Sequence, residues 1–544
     1  MTLASIAGAE ARPRRTILAV VTVGRYTCAA PILEICRTLH ERGHRIEFAC
    51  LEGWQKLTVP HPFVSKTHVV GRDLTVEEDE AVYRFLDASG IRTPTERLNM
   101  FQGFNIMFGW WGETYANIKS LCQGQQADFI FADDLADACV DIASELHIPL
   151  ATLAPQLNPS ICPAPYVPGM PGYQLKHLTN EHASLWDRMM EELCRRNLIS
   201  AAKPFNTELM EMRKRAAVSL GPALPKPRYL CFVNSFFGLE VPKDLPPLVR
   251  LVGPILAEVW PPLSESPDVE AFLEQHQRVL YVAFGTHIVT PGLRMRRLID
   301  GIDAAMDAGL LDGVVWAMKN VKVNIEETTT TDPRLDYKTI LANRNPHWLI
   351  QGWVPQRAVL AHPSVCLFLS HCGASSTAET VFHGVPVLAM PGYGDQLGHS
   401  MRLEAAGAGL RLDKHRFSAQ DVEICITRIA KEEAASFARN VLRLRRIAHA
   451  NSQRKHEAAH MVEELLYDHE LRFQIPPHGQ EWASDGVNNV YERSVRGREL
   501  QPCHLETSDM RMSWIKRNNL DVWILYYVYL PFLLLASFFD RERR

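Results

Sequence analysis

Short apolar runs alternate with helix-length amphipathic stretches along this chain, and the alternation begins twice. Residues 16–23 are apolar and strand-length. They lead into a turn at Gly24, a helical pattern over 31–42 that stops at Gly43, and a second apolar run over 45–50. The rhythm continues as a strand over 128–132, a helix over 136–146 and a strand over 149–153. It starts afresh at 278–284, which runs into Gly285 and Thr286. It then passes through 314–318, 348–351, a helix at 357–361, a strand at 366–370, a helix at 376–383 and a strand at 387–389. Strands separated by helices pair in parallel, so the expected fold class is α/β with mostly parallel sheets.

At 544 residues the chain exceeds one core and fits two domains plus extras. The expected bounds are a tail over 1–15, a first domain over 16–252, a proline- and serine-rich linker over 253–275 and a second domain over 276–470. A polar connector over 471–520 precedes a final segment at 521–540. A charged helix over 434–467 is placed to cross back to the first half. The helical, aromatic-rich stretches 77–126 and 185–219 are insertions of the kind that shape an acceptor pocket.

A net charge of −4 offers no concentrated basic face for nucleic acid. Twelve cysteines without a C-x-x-C pair argue against structural zinc and against a disulfide framework, and point to a reducing compartment. The arginines at 12, 14 and 15 follow small residues instead of preceding a long apolar run, so no secretory signal is read at the start. Residues 522–539 carry no charge and as a helix would span about 27 Å, near the thickness of a bilayer's hydrocarbon core. Trp523, Tyr526 and Tyr527 lie near one end, with Lys516, Arg517 and Arg541 flanking. The expectation is a C-terminal transmembrane anchor holding cytosolic domains at a membrane, the endoplasmic reticulum in the first instance.

The most informative stretch is 353–396, WVPQRAVLAHPSVCLFLSHCGASSTAETVFHGVPVLAMPGYGDQ. Trp353 offers a flat face for a base. His371 ends a strand, and Gly373, Ala374, Ser375 and Ser376 turn the chain into a helix whose first N–H groups suit an anion. Glu379 lies about one turn further on the same face, where a carboxylate can accept from two ribose hydroxyls. Asp395 and Gln396 suit the hydroxyls of a sugar.

These residue types at this spacing resemble the donor-site signature of UDP-dependent glycosyltransferases, the glucosyl- and glucuronosyltransferase-like group, with fungal-type members carrying a C-terminal membrane segment. The resemblance implies two facing Rossmann-like domains (the GT-B arrangement) and a UDP-sugar donor, probing first for glucose. It implies donor contacts from Gly285, Thr286, Trp353, Val354, Gln356, His371, Gly373, Ser375, Ser376, Glu379, Asp395 and Gln396. It further implies inverting, metal-independent transfer with no cofactor beyond the UDP-sugar; the absence of an Asp-x-Asp motif near this stretch agrees. Ala374 and Ser375 stand where plant-type members commonly have tryptophan and asparagine. The membrane tail and the aromatic run 101–111 suit a lipophilic acceptor.

One departure is sharper. Such enzymes carry a histidine after the first strand that removes the acceptor's proton, and here Cys28 occupies that place. The family's partner carboxylate maps onto Asp133, with Asp134 as the alternative. Three readings stay open at this point: an acceptor acidic enough to need little help, a base supplied by Asp133, Cys28 (its pKa lowered near a helix start) or another residue, and a weakly active or non-catalytic nucleotide-sugar-binding partner.

Overall fold

A computed structural model describes residues 13–125, 127–157, 161–170, 172–218, 226–285, 292–318, 337–472 and 504–533. Two parallel sheets organise the molecule. In the first, β1 (Thr16–Val21), β2 (Arg45–Leu51), β3 (Val64–Gly71), β4 (Phe129–Asp133), β5 (Leu150–Ala154), β6 (Leu230–Val233) and β7 (Val249–Leu251) stand in the order β3-β2-β1-β4-β5-β6-β7. In the second, β8 (Val279–Ala283), β9 (Gly313–Ala317), β10 (Trp348–Gln351), β11 (Val365–Ser370), β12 (Val387–Ala389) and β13 (Gly409–Arg411) stand in the order β10-β9-β8-β11-β12-β13. Each sheet reverses its winding once, between β1 and β4 and between β8 and β11. In open parallel sheets, crevices for ligands lie at the carboxyl ends of such strands.

Both faces of each sheet are covered, which is why their strands read as continuous apolar runs instead of alternating ones. Ile17, Ala19, Phe48, Phe129 and Phe131 pack on one face of the first sheet against Ile32, Leu33 and Cys36 of the helix Arg25–Glu41. Leu18, Val20, Ile130 and Ala132 face the other way, toward Ile118, Cys139 and Ile142. In the second sheet Leu280, Val282 and Leu369 meet Leu298, Ile302 and Val422 on one side, while Tyr281 and Phe368 meet Val359 and Leu273 on the other.

The last long helix returns to the first half, as expected, but in two pieces: Ala434–Ser452 and Lys455–Arg472. Ala458, Val462, Leu465 and Leu466 join the first sheet's core. Glu463 takes Arg42 at 2.6 Å and His44 at 3.3 Å, which occupies His44 far from the cleft. A second bond between the halves is apolar, with Phe236 and Leu239 packing among Cys372, Val381 and Leu444.

Three expectations need correction. The first helix begins at Arg25 rather than residue 31 and carries Pro31 inside it. Proline here lies past the first turn, so the helix forgoes the bond to the Thr27 carbonyl, a cost offset by burying Pro31 in the core. The expected linker holds a helix of its own, Pro267–Gln275, started by a proline at its first position. The expected transmembrane helix is not found among the described residues: none of their helices is long and apolar enough to cross a membrane. From Leu520 the chain is helical to residue 533, with a π-helical turn at Leu525–Tyr529, and its apolar side chains are exposed. The rest of the 522–539 segment lies outside the described residues.

Candidate functional site

The carboxyl ends of the two sheets face each other. At the end of β11, Cys372 adopts a left-handed backbone (φ 61°) and Gly373 caps the helix Ala374–His383 without a side-chain cap hydrogen bond. That leaves the first-turn N–H groups open toward the cleft, where helix polarity favours an anion. His371 sits in a glycine cradle. A Cβ on Gly373 would lie 2.5 Å from His371 Nε2 and one on Gly285 would lie 2.7 Å from it. Gly285 also has φ of 71°. The sequence reading gave these glycines donor contacts; the structure adds that both make room for the imidazole.

Beside this corner Gln356, at the start of the short helix Gln356–Ala361, gathers three neighbours. Its Nε2 donates to Ser376 Oγ at 3.1 Å and to Glu379 Oε2 at 2.6 Å. Its Oε1 accepts from Tyr281 Oη at 3.3 Å. Glu379 is buried, and burial pushes its carboxyl up to about 7 against the opposing pull of Gln356 and Arg357. Arg357 stacks over the Trp260 ring at 4.0 Å and donates to the Ala257 carbonyl. Trp353 is 58% exposed, an open aromatic face at the rim, whereas the Val354 side chain is buried in the core.

Asp395 opens the helix Asp395–Ala405, after Gly394 with φ of 58°. Gln396 is turned inward, its Oε1 accepting from the backbone N–H of Gly392 at 2.8 Å and of Tyr393 at 3.2 Å. It therefore shapes the loop that presents Asp395. Thr286 lies outside the described residues. Of the donor residues read from the sequence, Gln356, Ser376 and Glu379 are brought into direct contact, with His371, Gly373 and Gly285 packed together next along the corner.

From the first half, the turn after β1 and the start of the Arg25–Glu41 helix close the cleft. Thr27 Oγ1 accepts from Ser375 Oγ at 3.0 Å, and the cavity there, lined by Tyr26, Thr27, Ser375 and Glu379, holds about 20 Å³. Asp133 is spent on the backbone: its Oδ2 accepts from Thr22 N at 2.8 Å and Val23 N at 3.3 Å, and its Oδ1 from Leu135 N at 3.0 Å. Burial raises its carboxyl, and these N–H groups restrain the rise.

Cys28 is 2% exposed, with its thiol pushed well up by burial and then by Asp133, Asp134 and Asp395. The expected lowering near a helix start is thus reversed: a buried thiolate surrounded by carboxylates is opposed by both desolvation and like charge. Asp134 differs from its neighbour. Its Oδ1 is shielded from solvent and has no hydrogen-bond partner among the described residues, and burial followed by Asp133 raises its carboxyl well up.

Sequence reasoning missed Tyr281, Thr27 and Arg357. Each acts through a neighbour in space: Tyr281 reaches Gln356 from β8, and Thr27 meets Ser375 from the other half. The adjacency of Arg357 to Gln356 was the only available signal.

Comparisons with known proteins agree with one another. The family model described as UDP-glucoronosyl and UDP-glucosyl transferase matches residues 111–469. The chain is 53% identical over 530 residues to UDP-glycosyltransferase stmC of Aspergillus ustus, covering 96% of each. It is 40% identical to UDP-glycosyltransferase FPY2 of Fusarium mangiferae, covering 95% of this chain and 96% of that one. Among solved structures, a UDP-glucosyltransferase from Polygonum tinctorium superposes with a TM-score of 0.58 at 18% identity, over 84% of this chain and all of that one. That likeness concerns the fold.

Proposed function

The chain belongs to the UDP-glucoronosyl and UDP-glucosyl transferase family and is a glycosyltransferase; from that premise we propose that it moves a hexose, glucose in the first instance, from a UDP-sugar to a hydroxyl or carboxyl group of a lipophilic small molecule. The observation that carries the reading is the meeting of Gln356, Ser376 and Glu379 beside an uncapped helix start at the winding reversal of the second sheet. First-turn N–H groups of the Ala374–His383 helix, Ser376 and His371 hold the diphosphate. Glu379 accepts from the ribose hydroxyls, Trp353 stacks on uracil, and Asp395 faces the sugar. Because the helix start and His371 offset the diphosphate's charge, the transfer needs no metal.

Chemically, the acceptor oxygen attacks the anomeric carbon from the face opposite UDP. The new C–O bond forms as the bond to the β-phosphate oxygen breaks, and UDP leaves with the electron pair. Charge growing on that oxygen is met by the same donors that bind it, which lowers the barrier. The acceptor's proton goes to Asp134, whose Oδ1 is uncommitted. Asp133 holds the turn after β1, and Cys28 stays a thiol. A phenol or carboxylic acid would ask least of this arrangement.

Support for a lipophilic acceptor comes from an apolar cluster next to Asp395. Ile91, Met100, Cys194 and Leu198 pack there with Phe101, Phe104, Tyr173 and Leu397. The exposed apolar side chains from Val522 onward support a membrane-attached tail, checked by whether the full chain floats with vesicles and a chain ending at residue 513 does not.

The test is incubation of the purified full chain with a panel of UDP-sugars and phenolic, carboxylic and sterol acceptors, with and without a chelator. Mass spectrometry should find a hexoside formed equally well with the chelator present, together with UDP release. The buried Cys28 favours one competing reading, a membrane-bound nucleotide-sugar-binding partner; UDP binding without any turnover across the panel would select it.

A further inference from the structure

The helix that begins with Asp395 carries a buried polar chain leading away from the sugar-facing carboxylate. One turn on, His399 is 2% exposed, and its Nε2 lies 3.5 Å from Asp395 Oδ2. Its Nδ1 lies 3.0 Å from Arg402 Nη2. A guanidinium only donates, so Nδ1 is the accepting nitrogen and the ring proton sits on Nε2, which is buried beside Asp395 and makes no hydrogen bond among the described residues. Arg402 in turn reaches the first half: Nη2 donates to Gln156 Oε1 at 2.6 Å, and Nη1 lies 3.2 Å from Glu240 Oε2. The helix is pressed onto that half, since a Cβ on Gly398 would lie 2.7 Å from Gly172 Cα.

We propose that His399 is a positioning residue for Asp395, and that the grip of Arg402 on Gln156 and Glu240 ties the aim of this carboxylate to the closed arrangement of the two halves. Resting on the donor-site reading above, the inference concerns discrimination of the sugar, not retention of UDP. The imidazole fixes which oxygen of Asp395 points at the sugar hydroxyls, and Arg402 fixes the tautomer that makes this possible. An alanine at 399 would leave the carboxylate free to turn and remove one of the acceptors of Arg402, while the uracil, ribose and diphosphate contacts lie on other elements.

The experiment is calorimetry of UDP and of UDP-glucose with the full chain and with His399→Ala and His399→Gln, thermal unfolding being recorded for each. Glutamine can place an N–H near the position of His399 Nε2. The expected result is that His399→Ala weakens UDP-glucose several-fold, with UDP affinity within about twofold of the unaltered chain. His399→Gln should recover most of the loss. If His399→Ala weakens both ligands equally, or weakens neither, the positioning role is overturned while the donor site stands. Should the unaltered chain bind no UDP, the donor-site reading falls first and this inference with it.

Discussion

Ser375 Oγ lies 3.0 Å from Thr27 Oγ1, a hydrogen bond that ties the helix start of the second half to the helix start of the first. The two residues belong to different sheets' corners and meet where donor and acceptor must meet. A single neutral bond of this kind contributes about 1 kcal/mol. Thr27→Val should therefore lower kcat/KM for the acceptor by about fivefold and leave UDP affinity unchanged, measured by steady-state kinetics beside calorimetry.

Glu379 gives the site a pH dependence with a definite sign. Its carboxyl titrates at about 7 because of burial, and the deprotonated form is the better acceptor for ribose hydroxyls. Uridine, which lacks phosphates, should bind more tightly as pH rises through about 7, and Glu379→Gln should flatten the profile. Stability runs the other way. The folded value lies above the unfolded one of about 4.3, so the folded state holds the extra proton between them and stability falls as pH rises across that window. Thermal unfolding of Glu379→Gln should gain on the unaltered chain between about pH 5 and 8.

The glycine cradle of His371 is testable by adding single methyl groups. Gly373→Ala would bring a Cβ to 2.5 Å from the ring, and Gly285→Ala would combine a 2.7 Å contact with a left-handed backbone. The imidazole must move in both. UDP affinity should fall at least about tenfold in each, and Gly285→Ala should lose a further 1 kcal/mol or more of stability from its φ.

Proton removal separates three neighbouring residues. Asp134→Asn should reduce kcat by about 10²-fold or more with UDP affinity kept. Cys28→Ser should change kcat little, and the Cys28 thiol should resist alkylation in the folded chain, because it is buried and held protonated. Asp133→Asn should chiefly lower the melting temperature, since its oxygens serve the N–H groups of Thr22, Val23 and Leu135. A rate that followed Cys28 instead would overturn the assignment of Asp134.

The two parallel sheets were legible because their strands are buried on both faces and separated by helices. Of the strands read from sequence, 348–351 and 387–389 match the structure to the residue, and the others differ by one or two residues at one or both ends. Strands β3, β6, β7 and β13 were not read: β3 has four exposed or half-buried polar residues, β6 spans four residues, and β7 and β13 span three residues each. The residues of the candidate donor corner could be grouped from sequence because Trp353, Gln356, His371, Ser376 and Glu379 lie within one strand–helix–strand–helix stretch. Partners from elsewhere were not, since nothing local signals that Tyr281 will meet Gln356 or that Arg402 will meet Glu240. The sign of the Cys28 shift was missed for a related reason: position near a helix start was visible, but the carboxylates converging from β4 and the second half were not.

The central claim is that one strand-to-helix corner and a rim tryptophan hold the nucleotide. Calorimetric titration of UDP into the full chain carrying Trp353→Ala, His371→Ala and Glu379→Ala together, folded as judged by its melting curve, tests it most directly. Loss of stacking and of charge-assisted bonds predicts affinity lower by at least about 100-fold. UDP bound as tightly as by the unaltered chain would contradict the account.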